Sequence, residues 1–505
     1  MNRLIPDKRS LGLLLGPLIF FLVLGFVDSE TMGETARAVL ASTLWVAIWW
    51  ITEAVPLPIT SLLPVILLPL TGGLNVASAT AAYGDRIIYL FLGGFIIATA
   101  LEKWNLHRRI ALKIILMVGT NPRSIILGFM IATAFLSMWI SNTATAMMMM
   151  PIGMAVIVQF TDFLNRSGKV GTNDHRFGKS LMLGIAYSAS IGGMATLVGT
   201  PTNAVFVAIV DQLFDFKISF ADWMFIAFPI TVVLLGLCWL YLVRIAFPLK
   251  SLDEGPASVT LSIKEGLNSE IKKEYRELGK MKTEEKWVLA VFSLTAFAWI
   301  TRSYLLNIFV PALDDTIIAI TGAVVLFIIP SSRKGEAILD WKTAVKIPWG
   351  ILLLFGGGLA IAEGFKTSGL ANWIGVQLSV MDGFSFFMIF ALIVLIVNFL
   401  TEVTSNTASA TMILPVMASL ALALDVHPFV LMAGACLSAS CAFMLPVATP
   451  PNAVIFGSGY IRMQDMVKTG IWMNLLSAIL IILFIWFFMP LIWDIELQPF
   501  PDIFK

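Results

Sequence analysis

Ser141-Asn-Thr-Ala-Thr-Ala146 and Ser405-Asn-Thr-Ala-Ser-Ala410 are two nearly identical stretches in distant parts of the chain. Each lies near the middle of a long apolar region, 124–160 for the first and 384–424 for the second. A helix that crosses a membrane needs about 20 residues, so both regions are too long for one crossing, and small polar residues interrupt them. Each region therefore predicts a re-entrant hairpin with a Ser-Asn-Thr triplet at its tip.

Two further pairs of motifs occur in the same order in the two halves of the chain. Leu90-Phe-Leu-Gly-Gly-Phe95 matches Leu353-Leu-Phe-Gly-Gly-Gly358, and Gly199-Thr-Pro-Thr-Asn-Ala-Val205 matches Ala448-Thr-Pro-Pro-Asn-Ala-Val454. Proline lacks a backbone donor and disfavours helix in the residue before it, so both Thr-Pro spans are predicted to be broken. A simple proline kink is the alternative, but it leaves the paired motif unexplained. Inverted repeats with broken helices are typical of secondary transporters.

The composition is that of a membrane protein. Of the 505 residues, 58% are hydrophobic and 13% are charged, and the mean hydropathy is +0.89. A soluble protein is about half apolar and about a quarter charged. Because lipid offers the backbone no hydrogen-bond partners, the apolar runs are predicted to be helices. The predicted spans are 11–27, 36–52, 57–72, 86–102, 180–211, 222–246, 286–306, 315–330, 348–364, 428–459 and 469–494.

The distribution of Lys and Arg predicts which loops share a side of the membrane. Cytoplasmic loops are the basic ones, so the N-terminus is expected inside and the C-terminus outside. The first hairpin then opens inward and the second outward. The basic segments are 3–9, 103–123, 166–179, 250–286, 333–346 and 462–468, whereas the segments poor in Lys and Arg are 28–35, 212–222, 307–315 and 421–427.

These assignments divide the chain into four parts. Residues 1–35 form an N-terminal helix and loop, 36–249 the first repeat, 250–285 a hydrophilic cytoplasmic linker and 286–505 the second repeat. Each repeat supplies five spans and one hairpin, and the second is inverted relative to the first. The expected fold is an all-α polytopic membrane protein with 11 spans.

The hairpin tips carry the chemistry of a binding site. A turn at membrane depth leaves backbone groups unpaired, which is tolerable only where they line a cavity or bind something. Helix N-termini attract anions, carbonyl and hydroxyl oxygens suit hard cations, and an Asn amide donates two hydrogen bonds. The alternative is that these small polar residues only pack helices closely. Their repetition at matching positions favours binding.

Neither hairpin region contains a fixed positive charge. Lys and Arg are absent from 124–165 and from 367–461. Burying a doubly negative substrate there without compensation is prohibitive. Mobile cations bound beside the anion would compensate its charge and couple its movement to the sodium gradient. An exchanger of anions would more naturally keep a fixed cationic side chain.

Other candidate functional residues carry weaker signals. The carboxylates Glu53, Glu102, Glu363 and Glu402 lie in or beside apolar runs, where ionisable groups are often functional. Glu402 could be a proton carrier, a satisfied buried acid or an interface residue. Net charge is +1, which argues against nucleic acid as a partner. No metal-ligand spacing or nucleophile–base pair stands out, so an enzyme is not expected, and an ion channel is a more distant alternative. Cysteines 238, 436 and 441 all lie in apolar runs and are expected to be ordinary small residues of membrane segments.

These motifs resemble those of the divalent-anion/sodium symporter family, which includes di- and tricarboxylate carriers. The resemblance covers nearly the whole chain. It rests on the two triplets, on Gly192-Gly193 with Gly199-Thr-Pro-Thr-Asn203, and on the run from Ser440 to Asn452. It implies a homodimer in a lipid bilayer that works by an elevator mechanism, in which a transport part carries both hairpins across a fixed scaffold.

The resemblance also implies the roles of individual residues. The substrate-binding residues would be Asn142, Thr143, Thr200, Asn406, Thr407, Thr449 and Pro450. The first sodium site would be Ser137, Ser141, Asn142 and Gly199, and the second Thr401, Thr404, Asn406 and Ala448. At position 404 the family also has a small apolar residue, and a backbone carbonyl ligand would survive that difference.

We therefore expect a sodium-coupled symporter of four-carbon dicarboxylates such as succinate, malate or fumarate in the plasma membrane. Two neutral half-sites, each with room for one carboxylate, favour that substrate class. The alternatives left open are a sodium-independent dicarboxylate/2-oxoglutarate antiporter and a citrate or sulfate carrier of the same family.

Overall fold

The first part of the chain folds into helices joined by short turns. The computed structural model describes residues 8–119, 121–166, 172–249, 257–333, 335–378, 383 and 385–504. Its helices up to the linker are α1 (Lys8–Phe26), α2 (Ser29–Met32), α3 (Glu34–Thr52), α4 (Leu57–Thr60), α5 (Leu63–Leu70), α6 (Val76–Ala81), α7 (Arg86–Lys103), α8 (Leu106–Val118), α9 (Pro122–Ser137), α10 (Asn142–Arg166), α11 (Thr172–Gly193), α12 (Pro201–Phe214) and α13 (Phe220–Tyr241), which continues as a π-helical turn at Leu242–Ala246.

The second part is also helical, and no strand occurs in the described ranges apart from one isolated bridge between Pro330 and Ala337. Its helices are α14 (Ala257–Glu277), α15 (Thr283–Thr301), α16 (Asn307–Phe309), α17 (Asp315–Ile328), α18 (Trp341–Ala344), α19 (Trp349–Ser368), α20 (Leu370–Leu378), α21 (Phe386–Leu400), α22 (Asn406–Ala423), α23 (Pro428–Ala439), α24 (Pro450–Phe456), α25 (Met463–Phe487) and α26 (Met489–Trp493). The predicted all-α class is confirmed.

Nine of the described helical segments are long and apolar enough to cross a membrane. They include α10 and α22, each of which forms one arm of a predicted hairpin. Several predicted spans consist instead of shorter apolar helices, among them α12, α17 and α23. The total of 11 spans and the inversion of the second repeat stay predictions.

The predicted span 57–72 is two short helices rather than one. Helix α4 ends at Thr60, and α5 begins at Leu63. Pro56 precedes α4, and Pro64 lies at the start of α5. Proline is tolerated at a helix start because the N–H that it lacks would have no partner within the helix there. The prolines therefore divide this span, and its apolar composition alone does not reveal the division.

The hydrophilic linker contains a helix that the sequence does not suggest. Helix α14 packs against α10 and α8. A methyl group added at Gly266 would lie 1.8 Å from the ring of Phe163, so the two helices approach closely there. Arg108 of α8 also pairs with Glu274 of α14. These contacts between distant segments stabilise the helix, although its own composition is polar. Linker residues 250–256 lie outside the described residues.

Segments that are rich in Lys and Arg contact one another. Arg123 and Arg176, from two of these segments, donate to the carbonyls of Leu249 and Pro248 at 3.3 and 3.2 Å. Ion pairs that join these two segments to further basic segments are Lys103–Asp340 (2.7 Å), Arg109–Glu285 (2.6 Å) and Lys179–Asp465 (2.8 Å). The predicted grouping of these segments on one side agrees with their contacts.

Segments poor in Lys and Arg form a second group. Arg86, at the start of α7, contacts both Asp211 and Asp314 at 2.9 Å. The amide of His427 donates to the carbonyl of Leu497 at 2.9 Å, which places the C-terminal region beside 421–427. Which membrane face each group occupies stays a prediction.

A helix–turn–helix pair surrounds each Ser-Asn-Thr triplet. Helix α9 ends at Ser137 and α10 begins at Asn142, while α21 ends at Leu400 and α22 begins at Asn406. Asn121 caps α9 by accepting from the amide of Ser124 at 2.8 Å. Both Thr-Pro spans are broken, between α11 and α12 and between α23 and α24. Each half of the chain therefore supplies one turn and one break.

Candidate functional site

The first half-site is a cluster of oxygen atoms at the tip between α9 and α10. The Ser137 hydroxyl lies 2.5 Å from Oδ1 of Asn142 and 2.6 Å from the carbonyl oxygen of Ala189. Ser137 is fully buried, whereas Asn142 is half-buried. The hydroxyl has one proton, so it cannot donate to both neighbours at once.

The second half-site repeats this geometry. The Thr401 hydroxyl lies 2.6 Å from Oδ1 of Asn406 and 2.9 Å from the carbonyl oxygen of Ala439. Thr401 is also fully buried. Hydroxyl, amide and carbonyl groups therefore take the same relative positions in both halves, and the two sites are structural equivalents.

The Asn142 amide has two useful orientations. In one orientation Oδ1 faces the Ser137 hydroxyl, close to the Ala189 carbonyl oxygen. The single hydroxyl proton cannot satisfy both acceptor oxygens, so a cation bound here would stabilise the cluster. With the amide reversed, Nδ2 donates to Ser137 Oγ at 2.5 Å and to the carbonyls of Ala189 and Gly199 at 3.2 Å each. The oxygen ligands of the first orientation fit a hard cation such as Na⁺. In the second orientation the Asn142 amide supplies the hydrogen bonds that these oxygens need when no cation is bound.

Glycine at position 193 makes room for this cluster. A Cβ atom there would lie 2.6 Å from Oδ1 of Asn142 and 3.1 Å from the carbonyl oxygen of Gly199. A Cβ atom added at Gly199 would lie 2.5 Å from the carbonyl oxygen of Gly193. A larger side chain at either position would push the tip away from the broken segment.

Two asparagines hold the broken segments in shape. The Asn203 amide donates to the carbonyls of Met194 and Thr196 at 3.0 and 2.7 Å. The Asn452 amide donates to the carbonyls of Ala442 and Leu445 at 3.2 and 3.0 Å. Both asparagines are fully buried. They replace the helical bonds that the breaks remove, which explains the Asn of each Thr-Pro-x-Asn motif.

A different contact joins each tip to its broken segment. In the first half the Thr196 hydroxyl donates to the carbonyl of Met138 at 2.5 Å. In the second half the carboxylate of Glu402 accepts from the backbone of the broken segment, including the amide of Leu445 at 2.9 Å. Glu402 is thus a satisfied buried acid. The sequence places Glu402 within an apolar run, but it does not indicate which groups hydrogen-bond to the carboxylate.

The other hydroxyl side chains at the two tips differ in their hydrogen bonds. The Ser141 hydroxyl accepts from the amide of Ala144 at 3.2 Å and so caps α10 rather than joining Ser137. The Thr404 hydroxyl donates to the Leu400 carbonyl at 2.9 Å and lies 2.6 Å from the Ser409 hydroxyl. Among the half-buried hydroxyls of the two triplets, those of Thr143, Ser405 and Thr407 have no hydrogen bond to another described side chain or backbone group.

The residues at the breaks lie at the starts of α12 and α24. Thr200 and Thr449 are buried and occupy the N-cap positions, and Thr449 accepts from the amide of Asn452 at 3.3 Å. Pro450 is exposed beside it. Ala448 is buried in the second broken segment, and its amide donates to Leu445. Among the described residues, the Thr401 hydroxyl bonds the carbonyl of Ala439 and makes no hydrogen bond to Ala448.

The broken helices of the two halves contact each other. The hydroxyls of Thr202 and Ser440 lie 2.7 Å apart, although they belong to different halves. Cys436 donates to the Thr202 carbonyl at 3.4 Å. The Tyr187 and Phe443 rings pack edge to face with centroids 5.1 Å apart. The two broken helices are therefore in direct contact with each other.

Several described cationic side chains form ion pairs away from the two triplets. Ion pairs occur at the two groups of loops, for example Arg86–Asp211 and Arg109–Glu285. Within the described ranges no ion pair or hydrogen bond joins a Lys or Arg side chain to either triplet. The site is therefore built of neutral groups together with the buried Glu402.

Buried oxygen clusters at two matching tips, beside two broken helices in a membrane-embedded fold, define a secondary transport protein. Residues 8–494 match the family described as the sodium:sulfate symporter transmembrane region. The chain belongs to this family, which confirms the resemblance drawn from its motifs. Members of the family are transporters and not enzymes.

Two relatives of similar length agree with this membership. The sodium-dependent dicarboxylate transporter SdcS of Staphylococcus saprophyticus is 48% identical over 500 residues, which cover 98% of this chain and 94% of the relative. SdcS of Staphylococcus aureus strain USA300 is 49% identical over 498 residues, with the same coverage.

Two more distant transporters share the fold. MtrF of Neisseria gonorrhoeae has a TM-score of 0.51 at 13% identity, over 96% of this chain and 95% of its own. YdaH of Alcanivorax borkumensis has a TM-score of 0.54 at 12% identity, over 82% of this chain and 88% of its own. At such identities the likeness concerns the fold alone.

Proposed function

We propose that this protein imports four-carbon dicarboxylates together with Na⁺. The observation that carries the proposal is the pair of matching oxygen clusters at Ser137–Asn142 and Thr401–Asn406, to which no Lys or Arg side chain among the described residues is bonded. The relatives at 48% and 49% identity are named sodium-dependent dicarboxylate transporters, which supports both the ion and the substrate.

The bound sodium ions would compensate the negative charge of the buried dicarboxylate, and they would enter and leave the site with it. Oxygen ligands from each tip and each broken segment would hold one ion. The proposed ligands are Ser137, Ser141, Asn142 and Gly199 in the first half and Thr401, Thr404, Asn406 and Ala448 in the second. The carbonyls of Ala189 and Ala439 extend these sets, because each contacts the central hydroxyl.

The dicarboxylate would lie between the two tips. Each carboxylate would accept hydrogen bonds from one tip, at the N-terminus of α10 or of α22, where the helix dipole favours an anion. The proposed contacts are Asn142, Thr143, Thr200, Asn406, Thr407, Thr449 and Pro450. The free hydroxyls of Thr143 and Thr407 support this assignment, since their partners would come from the substrate.

The assembly and its movement follow from the family resemblance. We propose a homodimer in the plasma membrane, with the N-terminus inside and the C-terminus outside. Both hairpins and both broken helices would move together as an elevator. The contact between Thr202 and Ser440 supports their movement as one unit, because it joins the halves at the site.

Sulfate carriage is the second candidate, because the description of the family names sulfate. Competition in proteoliposomes separates the two. Uptake of labelled succinate should be blocked by excess malate or fumarate and unaffected by excess sulfate or citrate. Saturable sulfate uptake that succinate fails to block would overturn the dicarboxylate assignment.

A further inference from the structure

An apolar groove lies between α13 and α25, two of the helices that are long and apolar enough to cross a membrane. Its volume is about 880 Å³. Ile245, in the π-helical turn that continues α13, and Trp472 and Ile479 of α25 line it and are 72%, 62% and 55% exposed. These large side chains form a concave apolar surface that no described segment of the chain covers.

The charged groups of this groove lie at one end of it. Among the described residues that line the groove, the charged ones are Asp465 and Lys468, both near the start of α25. Asp465 forms an ion pair with Lys179 of α11 at 2.8 Å. Lys468 is exposed and has no ion pair or hydrogen bond with any described residue. Since Lys179 already compensates Asp465, the Lys468 ammonium gives this end of the groove a net positive charge.

The groove has the depth of one leaflet of a bilayer. From Lys468 to Ile479 the helix rises about 16 Å at about 1.5 Å per residue, and one leaflet of the hydrocarbon core is about 15 Å thick. Lys468 belongs to the basic segment 462–468, which is predicted to be cytoplasmic. Trp472 lies one turn deeper, near the level at which tryptophan is enriched in membrane proteins. A positive end followed by an apolar channel of this depth matches the head and acyl chain of a phospholipid.

We propose that this groove binds an anionic phospholipid, with an acyl chain between α13 and α25 and the phosphate beside Lys468. Basic pockets between membrane helices on the cytoplasmic side suit such headgroups. A zwitterionic lipid brings its own cation and would leave the Lys468 charge uncompensated. A second copy of the chain is the poorer occupant, because an apolar contact over the groove would bury Lys468 without a partner. The proposal does not depend on the transport activity or on sodium coupling.

Quenching of tryptophan fluorescence by brominated lipids tests this site. The wild-type protein and Trp472→Phe are reconstituted into phosphatidylcholine vesicles that contain a small fraction of brominated phosphatidylglycerol or of brominated phosphatidylcholine. The difference in quenching between the two proteins reports the contact of each lipid with Trp472. We expect this difference to be about fivefold larger for phosphatidylglycerol, the preference that one basic residue near an anionic headgroup provides.

Variants of Lys468, each measured with and without Trp472→Phe, test the role of the charge. Lys468→Gln should reduce the preference to less than about twofold, whereas Lys468→Arg should retain it. Lys113→Gln, which removes an exposed cation from another basic segment, is the matched control and should leave the preference unchanged. A preference that survives in Lys468→Gln, or that falls equally in Lys113→Gln, would overturn the proposal. Failure of both lipids to quench Trp472 would also overturn it and would indicate that another protein chain covers the groove.

Discussion

The Thr401 hydroxyl lies 2.6 Å from Oδ1 of Asn406 and occupies, in the second half, the position that Ser137 has beside Asn142 in the first. The two contacts are 264 residues apart in the chain, as the positions 401 and 137 show. Each hydroxyl also reaches a carbonyl of the neighbouring broken helix. A duplicated cluster of this kind is expected where two ions and two carboxylates are bound.

Removing either tip amide should abolish transport. Asn142→Ala or Asn406→Ala deletes a ligand of the ion and a donor to the substrate, and we expect uptake of labelled succinate to fall at least about 20-fold, since hydrogen bonds to charged groups are the stronger ones. Gln377→Ala, which truncates an exposed amide on α20, is the control. Near-normal uptake by either Asn variant would contradict the site assignment.

The hydroxyl at position 401 should govern sodium affinity. Thr401→Val keeps the shape and removes the hydroxyl, so we expect half-saturating Na⁺ to rise about fivefold or more. Thr401→Ser retains the hydroxyl, as Ser137 does in the first half, and should behave nearly as wild type. Equal Na⁺ dependence of the Val and Ser variants would argue against a role for this oxygen.

Gly193→Ala should damage the first half-site. The added Cβ would lie 2.6 Å from Oδ1 of Asn142, which forces the tip to move. We expect uptake to fall at least about tenfold, because a 1 Å displacement of binding groups is costly. Gly236→Ala in α13 is the matched control, since nothing lies within 4 Å of its Cβ. Similar losses in both variants would point to a general effect on folding.

Cysteine labelling tests the predicted sidedness. The native cysteines 238, 436 and 441 are buried, so the wild-type protein should react little with an impermeant maleimide. Lys217→Cys, in an exposed segment poor in basic residues, should be labelled from outside intact cells. Lys342→Cys, in an exposed basic segment, should be labelled only after permeabilisation. The reverse pattern would invert the proposed topology.

Much of this arrangement could be predicted because it depends on local signals. Duplicated Ser-Asn-Thr and Thr-Pro motifs indicate turns and breaks, and the structure has helix ends at both. The prolines at 56, 58 and 64 could also have indicated the division between α4 and α5, which the apolar composition of 57–72 concealed.

Other features depend on contacts between distant segments and have no local signal. Helix α14 is polar, and it packs through Gly266 against Phe163 about a hundred residues earlier. The carbonyls of Ala189 and Ala439 belong to the site through their backbone alone, so their side chains carry no information. The partners of Glu402 likewise lie 41 to 72 residues away in the chain.

The most direct test of sodium coupling is uptake of radiolabelled succinate into proteoliposomes. An inward Na⁺ gradient is compared with equal K⁺ or choline gradients and with vesicles preloaded with unlabelled succinate. We predict concentrative uptake with Na⁺ alone, because mobile cations compensate the buried anion. Uptake that ignores Na⁺ and requires internal dicarboxylate would contradict symport and identify an exchanger.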